Sequence, residues 1–325
     1  MAIVGARRAL LSAGVAWLPT LGSTRAVVHI DFVGGRYYAQ GGQRRIGDVL
    51  TLTRGSSKTA QTLAGDIVTF GTGQPAITDQ GILIEEQRTQ LLAYPSAPQV
   101  ETITLTTGQH AISCYGTGSY TVAAGTATIT GAGAATQAAP LVFNVTTAGT
   151  VTLTPTGSLT RVQLEKGGFA TSHIATGGAI RYADAAQLSN SILALINADA
   201  ATLVTRVRGI RNTAHASRIV QASASIPLYI YTGTGFAMVD SDAALFRSAT
   251  VTAPNAIAQT WDAAGRALCI NGGAVGSSAV QHVRTNTFAW LGSDNGNYSV
   301  LNGYVQSLTI YPRRATDAEL RGASA

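Results

Sequence analysis

Hydrophobic and polar positions alternate in short bursts along most of this chain, and glycine interrupts them every few residues. Ile103 and Leu105 alternate with threonines, as do Val151 and Leu153, the period-two pattern of a strand with one buried face. AVVHIDF (26–32) and DVLTLT (48–53) read as strands, with Gly34-Gly35 and Gly41-Gly42 as turns between them. Beyond residue 200 the same pattern predicts eight strands, at 202–208, 217–222, 227–231, 235–239, 257–262, 266–270, 287–291 and 304–311. Asn271-Gly272 directly after one of them is a strong hairpin signal. Glycines 116, 118, 125, 131 and 133 are expected to cut the middle of the chain into short strands. Besides the termini, only residues 189–198 (SNSILALINA) hold a helical turn. The expected class is all-β: an N-terminal region (1–95), a central β-sandwich (96–178) and a C-terminal jelly roll (179–325).

Composition agrees and narrows the function classes. Only 12% of residues are charged and 36 are glycine, unlike a helix-rich cytosolic enzyme, while 46% hydrophobic content is too apolar for a disordered repeat. Residues 102–160 carry no Lys, Arg, Asp or Glu, so their strand edges lack electrostatic protection and predict packing against neighbouring subunits, in a homo-oligomer, a trimer. The net charge of +6 is unevenly placed. Arg7, Arg8, Arg25, Arg36, Arg44, Arg45, Arg54 and Lys58 face only Asp31 and Asp48 in residues 1–60, leaving 14 basic and 14 acidic groups in the remainder. No aromatic-interleaved basic stripe or nucleic-acid module accompanies them, so Arg7, Arg8, Arg25, Arg36, Arg44 and Arg45 read as a foot docking on an acidic protein surface, not on nucleic acid. The opening segment mimics a secretion signal, but its apolar run, 9–18, is too short to span a membrane, and a peg packed against a partner is expected. Cys114 and Cys269 lie far apart in strand-like tracts and read as buried free thiols.

Two tracts resemble known families. The run IAQTWDAAGRALCINGGAVG, followed by LGSDNGNYSVLNGYVQSLTIYPRRATDAEL, resembles the laminin-G/concanavalin A-like lectin jelly roll through Trp261-Asp262, Asn271-Gly272, Leu291-Gly292 and Gly303 to Tyr311. Asn271 stands where that family more often has Asp, which weakens any calcium expectation. GILIEEQRTQLL (81–92) and RVQLEKGGFATSHIATGGAIRYAD (161–184), flanking a Thr/Gly-rich sandwich that is like a carbohydrate-binding module, resemble phage tail-fibre, head-fibre and related virion proteins. The resemblance implies a virion appendage on the particle surface. Its N-terminal region would meet portal, tail or capsid proteins, and its jelly roll a host surface polysaccharide.

Candidate chemistry is sparse. Glycoside hydrolysis needs two carboxylates across one cleft, yet Glu319 is the only Glu after residue 179, and the adjacent Glu85 and Glu86 point to opposite faces of a strand. No Gly-x-Ser-x-Gly elbow, metal-spaced histidines or phosphate-cradling glycine loop occurs, so neither enzymatic activity nor a cofactor is expected. Asp240 and Asp242 are weak metal candidates, too few for the six to eight oxygens calcium takes. Glycan binding needs aromatics beside amides and carboxylates: Trp290, Asp294, Asn295, Asn297 and Tyr298 supply that mixture, and Tyr229 and Tyr231 share a strand face. The expected function is a non-enzymatic particle subunit binding host glycan. A decoration or collar subunit without glycan binding, or a polysaccharide depolymerase, is the alternative.

Overall fold

The computed structural model describes residues 16–211, 217–223, 225–231, 235–240, 243–250, 252–295 and 299–325. Its central strand, Gly303–Tyr311, is apolar on both faces and buried along most of its length. On one side it pairs antiparallel with Ala201–Arg208, Thr205 opposite Leu308. On the other it pairs with Val28–Asp31, Ile30 opposite Leu308, and with Gly81–Ile84, Ile82 opposite Val305. Among the described residues this sheet has ten strands, running from Gly276–Ser278 to an edge at Gly42–Arg44. A seven-stranded sheet faces it, in the order Ala243–Ser248, Gly235–Asp240, Ser225–Tyr231, Ser217–Ala222, Ala289–Leu291, Ala185–Leu188, Leu50–Thr53. Side chains of both sheets, among them Ile30, Leu203, Ile257 and Leu308 from one and Ala186, Ile219, Met238 and Leu291 from the other, fill a single core. The all-β sandwich expected from the sequence is thus present, and all eight strands predicted beyond residue 200 appear within a few residues of their expected bounds.

The first and last expected regions are not separate bodies. Val28–Asp31 closes the sheet made by the last third of the chain, and Leu50–Thr53 pairs with Ala185–Leu188 in the other sheet. The reason is visible in the burial of Val28, Ile30 and Phe32: such a strand needs a neighbour on each side, and residues 1–95 supply only Arg36–Ala39, the other being Gly303–Tyr311. The central sandwich is instead inserted into the jelly roll. Its six strands span 101–166 and enclose their own core of Leu105, Ile112, Tyr120, Phe143, Val151 and Leu164.

Gly116 and Gly118 do not end strands, contrary to expectation. Both lie inside the long strand Gly108–Ala124, which pairs with Gly149–Lys166 across a bulge at Tyr115/Gly116. Their φ values of 104° and 126° belong to glycine, and a Cβ on Gly118 would sit 2.0 Å from the Thr156 carbonyl oxygen. The glycines let the strand bend and approach its partner while pairing continues.

The expected helical turn forms at Asn190–Ile196. A further helix, Asp317–Ala323, follows the last strand. Thr316 and Glu319 make a capping box at its start, and Leu320 packs on the outer face of the ten-stranded sheet beside Ala258 and Cys269. Both cysteines are buried and unpaired. Among the described residues no helix is long and apolar enough to cross a membrane. Arg54 and Lys58 are each 2% exposed and internal, while Arg25, Arg36 and Arg45 are exposed. Arg36 pairs with Asp31 at 2.9 Å, and Arg44 bonds the Gln40 and Gln43 carbonyls at the sheet edge. Arg7 and Arg8 lie outside the described residues.

Candidate functional site

In the three-residue strand Ala289–Leu291, Ala289 and Leu291 are fully buried in the core. Period-two alternation therefore places Trp290 on the outer face of the seven-stranded sheet, half-buried. Its cross-strand partners are Gln187 on one side and Gln221 on the other, and Gln187 in turn faces Thr51. Paired positions share a sheet face, so an amide flanks the indole on each side. Phe288 props the ring from the same segment, centroids 6.2 Å apart and tilted by 60°.

Beside this row lies a groove of about 320 Å3, lined by Trp290, Tyr182, Gln87, Asn295, Thr53 and the wall residues around Arg54. Tyr182 is 47% exposed. Its ring lies over Gly55, where a Cβ would come within 3.2 Å of it, and its backbone N–H donates to Ser56 Oγ. The groove thus offers two aromatic surfaces with amide and hydroxyl groups between them. Such a site suits the apolar C–H faces and the hydroxyls of a sugar.

The predicted residues separate on this geometry. Trp290 and Asn295 meet in the groove. Asp294 is engaged by Arg218, Nη1 to Oδ2 2.8 Å. Asn297 and Tyr298 lie outside the described residues. Tyr229 and Tyr231 sit on Ser225–Tyr231, separated from the Trp290 strand by Ser217–Ala222, with Tyr229 in register with Arg218. Asp240 ends its strand opposite Ala243, and Asp242 is outside the described residues. Among the described residues no group of three or more His, Cys, Asp or Glu is placed to hold a metal. Tyr182, Gln87 and Gln187 were not expected at the site, because they lie far from Trp290 in sequence and only the sheet pairing brings them beside it. The tract ending Arg181-Tyr182-Ala183-Asp184, singled out for another reason, was the available signal.

That tract and residues 81–92 meet beneath the inserted sandwich in a buried charge network. Glu85 accepts from Ser172 N–H (2.8 Å) and Oγ (2.6 Å) and lies 3.0–3.3 Å from Lys58, Arg181 and Arg211. Asp184 holds Arg54 at 2.8 Å and Lys58 at 2.5 Å. Glu165 accepts from Thr171 N–H and Oγ1 at 2.5 and 2.6 Å, and Gln163 Oε1 accepts from Ile174 N–H at 2.6 Å. Glu165 and Gln163 project from the sheet face opposite the inserted core, so residues 171–174 are clamped between the two sandwiches. Desolvation pushes the Glu85 carboxyl up, but Arg181, Lys58, Arg211 and Ser172 together outweigh it and hold it well below the usual carboxylate range. Burial raises Glu165, with Arg181, Thr171 and Arg88 opposing. Burial also lowers His173 to about 4, helped by Arg161. As expected, Glu85 and Glu86 diverge. Glu86 instead accepts from Asn302 Nδ2 at 3.0 Å and pairs with Arg88.

No protein-family model and no curated protein matches the chain. Similar solved structures include the Ruminococcus gnavus IT-sialidase CBM40 bound to α2,3-sialyllactose (TM-score 0.34, 18% identity, 40% of this chain and 85% of that chain). Others are a Trypanosoma rangeli sialidase in complex with the inhibitor DANA (0.35, 15%, 42% and 25%) and a leech intramolecular trans-sialidase (0.34, 17%, 40% and 24%). The chain thus spans about a quarter of each of these two sialidases. At such scores the likeness carries no inference about ligand or activity.

Proposed function

We propose that this protein is a non-enzymatic adhesion subunit that binds a surface polysaccharide in the Trp290 groove. The observation that carries the reading is a tryptophan held half-exposed on a rigid central strand, with glutamines on both sides and Tyr182 across the groove. Rigid aromatic surface beside amides gives stacking and hydroxyl recognition at little entropic cost. Binding is favoured over hydrolysis because Glu85, Glu165 and Asp184 are each consumed by buried partners, away from the outer face that carries Trp290. The resemblance of 81–92 and 161–184 to phage fibre proteins supports placement on a virion surface as a trimer, with the region of Arg44 and the exposed Arg25, Arg36 and Arg45 toward other particle proteins. The test is a glycan array with the full chain. A polysaccharide hit whose affinity falls about tenfold in Trp290→Ala, with an unchanged melting temperature, supports the reading. Binding that is indifferent to Trp290→Ala and Tyr182→Ala overturns it.

A further inference from the structure

A second cleft, of about 400 Å3, opens where the inserted sandwich meets the jelly roll. Tyr115 and Phe169 supply aromatic walls, Gln61 and Gln137 amides, and Arg211 a guanidinium. None of the described lining residues is acidic. We propose that this cleft binds a carboxylate-bearing sugar residue, with Arg211 taking the carboxylate.

Three observations converge on an anion. The first is the geometry of Arg211. Its Nη1 is committed to Glu85 Oε1 (3.0 Å) and the Ala170 carbonyl (3.3 Å), while its Nε–Nη2 edge has no hydrogen-bond partner among the described residues. That edge is the two-donor fork that matches a carboxylate. The side chain is 31% exposed, so a ligand can reach it. The second is charge balance. Arg54, Lys58, Arg88, Arg181 and Arg211 are joined by contacts to Asp184, Glu85, Glu86 and Glu165, one positive group in excess. Arg161 adds another: it is exposed, has no ion pair among the described residues, and lies in register with Tyr115. The third is a set of donors without acceptors. Among the described residues Ser113 Oγ is buried with no hydrogen-bond partner, and the Tyr115 hydroxyl has none either. Ser113 and Tyr115 alternate with the core residues Ile112 and Cys114, which places both on the face turned toward the jelly roll.

A carboxylate seated on the Nε–Nη2 edge would complete the guanidinium's bonding and offset the excess charge, and the sugar ring would lie against Tyr115 or Phe169. This site is separate from the Trp290 groove and does not depend on it.

Glucose and glucuronic acid differ only at C6, so they form the matched probe pair. Each is titrated by ligand-observed NMR into the wild-type chain and into the Trp290→Ala chain, so that loss of the outer groove and failure of the cleft read out separately. Glucuronate is expected to bind on the order of tenfold more tightly than glucose in both chains, and less tightly as salt rises. Arg211→Gln should abolish that preference, so that glucuronate binds no more tightly than glucose. Should Arg211→Gln fold poorly, Tyr115→Phe, which removes a donor and no charge, should weaken glucuronate alone. Equal binding of the two sugars, or a preference that survives both substitutions, overturns the proposal. So does competition by acetate at equal concentration, which would mark a simple anion site.

Discussion

Acid should loosen the junction between the two sandwiches, and His173 sets the size of the effect. The side chain is 3% exposed, its ring meets Tyr115 edge-on at 6.1 Å, and neither ring nitrogen has a hydrogen-bond partner among the described residues. Burial, then the nearby Arg161, lowers its pKa to about 4. The unfolded chain takes up this proton near pH 6.5, whereas the folded chain resists until about pH 4. Between those values the unfolded state binds more protons, so stability is complete above about pH 7 and declines as the pH falls. Two-state linkage with those pKa values gives a loss of about 2 kcal/mol from this residue between pH 7 and 4.5. The perturbation is His173→Phe, a ring of similar shape that cannot titrate. Its steric cost is the same at every pH and drops out of the comparison. Urea unfolding of both proteins across pH 4.5–7 measures the effect, and the other groups titrating there, His29 and His110 among them, are common to both. The wild-type protein should lose about 2 kcal/mol more than the variant over this range. Parallel curves would refute the reasoning and mean that the imidazole is protonated or hydrated in the folded protein.

Two further predictions concern construction. Glu85→Gln leaves Lys58 and Arg181 buried with one anion fewer, and should cost about 3–5 kcal/mol by chemical denaturation. Gly118→Ala places a methyl against the Thr156 carbonyl at a φ of 126° and should cost more than about 2 kcal/mol, whereas Gly41→Ala, at φ 74° with open space around it, should cost about 1 kcal/mol. Thermal unfolding separates the two.

The strands were legible because their signal is local. Thr202, Val204 and Arg206, or Ala267 and Cys269, carry their periodicity within a few residues. The partnership of Val28–Asp31 with Gly303–Tyr311 was not, since nothing in AVVHIDF specifies a mate some 280 positions away. Gly116 and Gly118 misled for a related reason: a glycine that ends a strand and one that bends it look alike until the partner's carbonyl is in place. At the site, Trp290 and Asn295 could be found as neighbours in sequence, while Tyr182 and Gln87 arrive from distant segments. The burial of Arg54 and Lys58 was not legible either: a buried lysine is rare, and only the approach of Asp184 and Glu85 makes it tolerable.

Nesting one sandwich within another also sets an order of events during translation. Residues 101–166 have all their strands once the ribosome has passed them, and Leu91 and Leu164, bonded N–H to carbonyl, mark the neck where that module can close. Ile30 must wait for Leu308, an interval on the order of 15–60 s at ordinary synthesis rates. Throughout that wait the early strands carry bare apolar faces, so production of the intact molecule should depend more on chaperone supply than production of the nested module alone.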